Sequence, residues 1–336
     1  MLRGLLFLAV AYLCGLLAFS LIHVAAPQRT GVLALSQIFA PHLFAVGLLT
    51  VPLAAFRGAR TFRLVAALWL GVAFLRFGPG LLSFPEASSA DARPITVLTW
   101  NLEAGLVPGS LVTDVLSDTD AELVALEELT GGPASAIELD AAVTERFPYR
   151  ILRPDPSVLG MALLSAHPIT EQGFLADPPL VWARLDLGNG RSMIAVAAHP
   201  LPARIGLTAL GPADPLAYDP SERDRDILRV REVIDLWLAD GEDLVLLGDF
   251  NVTDREPAHA ELSAALSDAH RDAGIGTGST WRPDQLKRLP LGILRIDYVF
   301  SSARLRPLSA TPDCTPRGSD HCILRATLTL SGPGRN

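Results

Sequence analysis

No aspartate or glutamate occurs before Glu86 in this chain of 336 residues. The only charged side chains in that stretch are Arg3, Arg29, Arg57, Arg60, Arg63 and Arg76. A segment this poor in charge, and of one sign, cannot present the mixed-charge surface of a soluble domain. Cysteine is scarce as well. Three residues exclude a fold built on a disulfide framework. Cys14 lies in an apolar run and reads as packing, whereas Cys314 and Cys322 flank Asp320-His321. Whether that pair forms a disulfide stays open, because sequence does not give the Cα separation a bridge needs. Internal repeats and low-complexity tracts are lacking too, which excludes solenoid architectures.

What the first 85 residues do contain is hydrophobic runs: Leu5 to Ala26, Val32 to Phe56 and about Leu64 to Leu82. Runs of about 20 apolar residues are long enough to cross a bilayer core. Three transmembrane helices are therefore expected over residues 1–83, with a linker over 84–93 and a separate domain over 94–330. A cleaved signal peptide is the other reading of the first run, given Arg3 and Ala25-Ala26. Arg57, Arg60 and Arg63 between runs two and three place that loop in the cytoplasm, and the domain after it outside. His42 reads as a helix contact. Residues 84–336 hold all 36 acids and 22 of the 28 Lys and Arg, a net charge of −14. Such a surface is a poor partner for nucleic acid.

The later domain is organised around Leu246-Leu247-Gly248-Asp249-Phe250-Asn251. Leu244 to Leu247 reads as a short buried strand, and Asp249 and Asn251 sit where it leaves the core. Two apart in extended chain, they point the same way. Such a pair suits metal or phosphate chemistry, or ends a strand as an Asx turn. Other strand ends carry similar groups: Trp100-Asn101, Glu127-Glu128, His199-Pro200 and Ser319-Asp320-His321, with Asp297 inside Arg295 to Phe300. Ile227, Val230, Ile234 and Trp237 mark the core face of a helix beginning at Ser221. Arg223, Arg225, Arg229 and Arg231 read as its solvated face. Ala134 to Phe147 reads as one helix, and His167 as structural.

The order of these motifs over residues 94 to 330 resembles the endonuclease/exonuclease/phosphatase superfamily. The resemblance implies an α/β fold, a four-layer sandwich, and divalent-metal phosphoester hydrolysis. It implies Glu128 as metal ligand, with Asn101 and Asp320 as candidates for the same or a neighbouring shell, and Mg²⁺ or Mn²⁺ as the ion. His321 takes a phosphate-facing or acid–base role, with Asp297 holding its ring. Asp249 positions or deprotonates water. His199 and Asn251 donate to non-bridging oxygens. Glu127 stands where the family pattern usually has glutamine, a departure that adds a charge near the metal or places one where the family normally hydrogen-bonds. Ser279-Thr280-Trp281 resembles a segment supporting the site.

Three apolar runs followed by such a domain resemble membrane phosphatases linked to glycopeptide-antibiotic resistance. That resemblance implies a lipid-linked phosphate such as undecaprenyl pyrophosphate as substrate, with the bilayer as partner. The segment from Leu201 to Pro220, with Arg204 among apolar residues, reads as a substrate clasp or as a cover over the sheet edge. A surface nuclease, a sphingomyelinase-like phosphodiesterase and a non-enzymatic sensor or scaffold are the alternatives. Oligomeric state is not legible.

Overall fold

The computed structural model describes residues 2–56, 59–78, 81, 83, 93–206 and 218–330. The chain divides into two units. The larger takes in Ser83–Pro202, Ser221–Asp254 and Ala258–Asn336. Its strands alternate in side-chain direction, so each offers one apolar face to a shared interior and another to a covering helix.

Two six-stranded sheets result. The first holds β1 (Pro94–Asn101), β2 (Leu123–Glu127), β3 (Tyr149–Arg153), β4 (Met161–Ser165), β13 (Leu305–Asp313) and β14 (Ile323–Leu330). Its order is β13-β14-β1-β2-β4-β3. The second holds β5 (Ile169–Ala176), β6 (Pro179–Gly188), β7 (Arg191–Ala198), β10 (Leu244–Asp249), β11 (Ser267–Asp268) and β12 (Asp297–Ser301). Its order is β11-β12-β10-β7-β6-β5. The remaining strands, β8 (Arg204–Ile205) and β9 (Tyr218–Asp219), form a separate short pair.

Val97, Leu123, Leu163, Ala195, Leu247 and Val299 fill the space between the sheets. On the outer face of the first sheet, Leu98, Val124 and Leu126 pack with Val112, Leu116, Ile137 and Val143. These come from α5 (Gly109–Asp118), α6 (Gly131–Leu139) and α7 (Ala141–Arg146). On the second sheet, Ile194, Val196 and Leu246 pack with Ile227, Val230, Ile234 and Leu262. Those belong to α8 (Ser221–Ala239) and α9 (Pro257–Ser263), and a short α10 spans Ala269–Ala273. The result is the expected helix–sheet–sheet–helix sandwich. The single helix expected over Ala134 to Phe147 is two. Asp140 breaks it by accepting the Val143 N–H at 3.0 Å, which caps α7.

The smaller unit contains Met1–Leu82, Ala203–Pro220 and Arg255–Pro257. Its helices are α1 (Leu2–Ala25), α2 (Gly31–Ile38), α3 (Ala40–Gly47) and α4 (Arg60–Phe77), with a 3₁₀ segment over Leu48–Ala55. Leu13, Leu16, Phe44, Phe62 and Trp69 form its core. Gly47 lets Trp69 approach: an added Cβ would stand 2.5 Å from the indole.

Three membrane-spanning helices are not what forms here. Among the described residues, α1 alone is a single helix long and apolar enough to cross a membrane. The second run is broken, with Gly31–Ile38 and Ala40–Ala55 bent by 65°. Phe39 leaves helical geometry, Pro41 begins the next helix and Pro52 turns its end into 3₁₀. The third run yields an 18-residue helix holding Arg60, Arg63 and Arg76. An orientation argued from three spans falls with that count, and Arg57 lies outside the described residues. So do residues 84–92 of the expected linker and residues 207–217 of the loop after His199.

Candidate active site

The inward stripe of five strands turns polar at one end of the sandwich. Along β1, β2, β7, β10 and β12, side chains two apart share a face. Val97, Leu123, Ala197, Leu247 and Val299 lie inward, and so, further along the same stripes, do Asn101, Glu127, His199, Asp249 and Asp297. Register aligns them in pairs: Asn101 lies opposite Glu127, and Asp249 opposite Asp297. Each is at most 1% exposed. Two left-handed residues, Glu128 at φ 55° and Asn251 at φ 51°, turn the chain just past β2 and β10. Asn tolerates that conformation; Glu128 bears a cost of order 1 kcal/mol or more.

Asp249 is the hub. Asn101 Nδ2 donates to Asp249 Oδ2 at 3.0 Å and to Glu128 Oε1 at 3.1 Å. His199 Nε2 lies 3.5 Å from that same Asp249 oxygen, and His321 Nε2 3.6 Å. The Asn251 backbone N–H donates to Asp249 Oδ1 at 2.9 Å. Burial raises the Asp249 carboxyl, but the adjacent His321 and His199 outweigh burial and hold it below the usual range. Asp249 is therefore ionised at neutral pH.

His321 is held from behind. Its Nδ1 lies 3.0 and 3.1 Å from the two oxygens of Asp297. Burial lowers the imidazole pKa, yet Asp297 and then Asp249 carry it well above the ordinary value. The ring is thus a buried imidazolium with Nε2 turned to Asp249. Thr280 Oγ1 receives the Asp297 N–H at 3.2 Å, fixing the start of β12. Ser319 Oγ donates to the Asn101 carbonyl at 2.8 Å and accepts the His321 N–H at 2.9 Å. That hydroxyl ties β1 to the loop that opens β14.

His199 is lowered by burial and raised more strongly by Asp249 and Glu128. Its Nδ1 lies 3.1 Å from the Val158 carbonyl, so Nε2 is the atom turned to the site. Asn251 Nδ2 donates to the Pro200 carbonyl at 3.0 Å and lies 3.4 Å from His199 Nε2. Asp320 accepts Trp281 Nε1–H at 2.8 Å, and its other oxygen is 3.8 Å from His321 Nε2. The loop around it is closed by a Cys314–Cys322 disulfide with Cα atoms 4.3 Å apart. Arg282, fully buried, donates to the Cys314 carbonyl at 2.8 Å.

Every sequence-expected site residue therefore lies in this one cluster. For metal binding the donors are mostly carboxylate oxygens, the kind of donor a hard divalent ion takes. Asp249, Asp297 and His321 bring ligand atoms within 4.8 Å of one another. Asp297 and His321 already bind each other, so Glu128, Asp249 and Asp320 hold the oxygens available to an ion. Asn101 offers its N–H groups to these carboxylates; its Oδ1 accepts the Glu103 N–H at 2.8 Å. Glu127 points between the sheets. Its Oε1 accepts Thr99 Oγ1–H at 2.8 Å, and burial, then Asp297, push its carboxyl up to about 8.

Three contributors were not singled out from sequence. Glu103, left-handed at φ 51°, accepts the Asp320 N–H at 2.8 Å and pairs with Lys287. Nothing in its own neighbourhood announces contacts 217 and 184 residues away. Arg223, expected in solvent, is 2% exposed and donates to the Asn251 carbonyl at 2.8 Å. Here a signal existed, since 223, 227, 230 and 234 share one helix face. Tyr298 donates to the Val252 carbonyl at 2.9 Å and so braces the loop after Asn251.

A family model described as Endonuclease/Exonuclease/phosphatase family matches residues 98–321. No curated protein matches the chain. Among solved structures, an endonuclease/exonuclease/phosphatase family protein from Bacteroides thetaiotaomicron is similar at 15% identity and TM-score 0.54, covering 72% of this chain and 100% of that one. Truncated Caenorhabditis elegans TDP2 gives 16% identity and TM-score 0.53 over 70% of this chain and 98% of that one. An endonuclease/exonuclease/phosphatase from Beutenbergia cavernae gives 18% and 0.52 over 71% and 72%. At these identities the likeness is one of fold. The family match spans most of the chain and both ends of the polar cluster, from β1 to His321, and on that ground the chain belongs to the endonuclease/exonuclease/phosphatase family.

Proposed function

We propose that this chain is a membrane-attached, divalent-metal-dependent hydrolase of a lipid-linked phosphate, with undecaprenyl pyrophosphate as the model substrate. The observation that carries the hydrolase reading is the convergence of Asn101, His199 and His321 on Asp249. An ionised carboxylate surrounded by donors and acid–base groups is what attack on a phosphoester needs. In this reading Glu128, Asp249 and Asp320 would hold Mg²⁺ or Mn²⁺, with Asn101 donating to Glu128 and Asp249. The ion, when bound, offsets phosphate charge and lowers the pKa of water. Asp249 orients the attacking water and takes its proton. The new bond runs from water oxygen to phosphorus as the bond to the leaving oxygen breaks. His321 gives that leaving oxygen its proton, with Asp297 fixing the ring. His199 and Asn251 donate to the non-bridging oxygens.

The lipid part rests on the helical unit. Phe7, Leu8, Leu21 and Val24 of α1 and Leu64, Leu68, Phe74 and Leu75 of α4 are exposed. Apolar surface of that extent marks a membrane or partner contact. The same unit takes in Ala203–Pro220 and Arg255–Pro257, segments that begin four residues after His199 and four after Asn251. A surplus of acids over the rest of the chain disfavours a nucleic-acid substrate. The Cys314–Cys322 bond favours an oxidising compartment for the catalytic unit.

Substrate choice is tested in mixed micelles with Mg²⁺ or Mn²⁺. Phosphate release from polyprenyl pyrophosphate should exceed turnover of sphingomyelin or plasmid DNA by at least about tenfold. Faster digestion of DNA, with the lipid untouched, would make the chain a nuclease.

A further inference from the structure

Two stretches of chain run side by side at the edge of the site, Thr280 to Arg282 and Asp320 to Cys322. Trp281 and His321 form an antiparallel bridge. The Arg282 backbone N–H donates to the Asp320 carbonyl at 3.0 Å, and the Cys322 N–H to the Thr280 carbonyl at 2.7 Å. Asp320 is thus fixed through its main chain on both sides, since Glu103 accepts its N–H at 2.8 Å. Its carboxylate is aimed as well. Trp281 Nε1 donates to Oδ2 at 2.8 Å, and Oδ1 is turned to the site, 3.8 Å from His321 Nε2.

The side chain of Arg282 lies behind this pair, fully buried. Burying a charge is costly unless the charge is compensated. Among the described residues the compensation is main-chain carbonyls: Nη1 donates to Cys314 at 2.8 Å and Leu289 at 3.0 Å, and Nη2 to Ser319 at 3.4 Å. Nη1 also lies 3.7 Å from Cys322 Sγ, and Nε has no partner. Two of the three carbonyls belong to the loop that carries Asp320 and His321. The Cys314–Cys322 bond closes that same loop across a separation of eight residues. A covalent tie and a buried cation therefore act on one short loop, which supplies two residues of the polar cluster. A solvated connector would need neither.

We propose that Arg282 and the Cys314–Cys322 disulfide form a positioning clasp for Asp320, so that tight binding of the divalent ion requires the oxidised loop. Arg282 touches neither substrate nor ion and acts through Asp320. Groups that hold a metal ligand in place change metal affinity by about 10–100-fold. A dithiol opens the clasp: its two thiols pass two electrons and two protons to the Cys314–Cys322 bond. That S–S bond breaks, two thiols form on the chain, and the dithiol closes to its own disulfide. This inference deepens the metal-dependent hydrolase reading above and rests on it.

The test titrates Mn²⁺ by calorimetry into the full detergent-solubilised chain, metal-free at the start. The chain is oxidised, or treated with dithiothreitol that is then removed without air. Reduction should weaken Mn²⁺ binding at least about tenfold, and reoxidation should restore it. Oxidised Arg282→Lys should lose about as much, because an ammonium cannot span three carbonyls as the fork does. The Mn²⁺ concentration giving half-maximal phosphate release should rise by the same factor, with most of the rate recovered at saturating ion. A melting profile establishes that each form is folded at the assay temperature. Should reduction unfold the chain, Arg282→Lys carries the test. Unchanged Mn²⁺ affinity in either folded form overturns the clasp. Lost rate with unchanged ion affinity overturns the assignment to Asp320. An oxidised wild type that binds no Mn²⁺ and releases no phosphate removes the hydrolase reading itself, whereas binding and turnover indifferent to the dithiol remove the clasp alone.

Discussion

His321→Ala lowers phosphate release at least about a hundredfold, with the fold retained. The expectation follows from burial and charge. The imidazole is caged between Asp297 and Asp249, and both carboxylates keep it protonated. Removing it takes away the proton donor and also leaves Asp249 beside an uncompensated Asp297. Loss of a positioned acid–base group costs about 10²–10⁴ in rate. Asp249→Asn should cost as much, since the amide cannot take a proton and offers an ion only an uncharged oxygen. Asp297→Asn should cost less, because Asp297 touches only the far nitrogen of the ring. A pH profile separates the roles. His321→Ala should abolish the alkaline limb of the rate, which wild type shows as the imidazolium loses its proton above the ordinary histidine range. Asp297→Asn should shift that limb to lower pH, because the carboxylate that lifts His321 is gone. Equal losses in the two variants, with identical profiles, would give Asp297 a direct part in the chemistry.

Glu127→Gln stabilises the metal-free protein at alkaline pH. The carboxyl is fully buried and its pKa is pushed up to about 8. An unfolded glutamate titrates near about 4.3. With the folded value raised, the unfolded chain releases its proton first as pH rises. The native state then binds more protons than the unfolded state, and stability falls with pH across that window. The contribution is intact below about pH 4 and is lost progressively up to about pH 8. At about 1.4 kcal/mol per unit, the full loss is on the order of a few kcal/mol. Glutamine keeps the shape and the bond from Thr99 without that titration. Urea midpoints measured from pH 5 to 9 in EDTA should diverge, with the glutamine variant flatter and higher at pH 9. Parallel curves would mean that Glu127 is solvated or ionised at no cost.

Much of this site was legible because period two does two jobs. It assigns Val97, Ala125, Ala197 and Leu247 to the interior, and it carries Asn101, Glu127, His199 and Asp249 to the same end of the same faces. Short apolar strands ending in polar pairs therefore announce both the sandwich and its working edge. Hydropathy misleads in the first 85 residues because it measures composition. It does not register the 65° break at Phe39, which splits the second run, and the third run, read from about Leu64, becomes a helix that starts at Arg60 and so takes in Arg60 and Arg63 besides Arg76. Glu103 and Lys287 escaped for another reason: their partner is fixed by tertiary closure, 184 residues apart. The disulfide belongs to the same class. Cys314 and Cys322 are eight apart, but only the turn through Asp320 brings their Cα atoms to 4.3 Å. Arg223 was legible on the apolar face of α8, and was placed in solvent only because arginine usually is.

The proposed chemistry is metal-dependent phosphoester hydrolysis at the Asp249 cluster. The direct measurement is phosphate release from polyprenyl pyrophosphate by the detergent-solubilised chain before chelation, after chelation and after return of Mg²⁺ or Mn²⁺, for wild type and Glu128→Gln. Wild type should lose activity in EDTA and regain it with either ion, whereas Glu128→Gln should remain at least about a hundredfold below wild type at the same ion concentration. Turnover that persists in EDTA, or a Glu128→Gln variant as active as wild type, would exclude metal-dependent hydrolysis at this cluster.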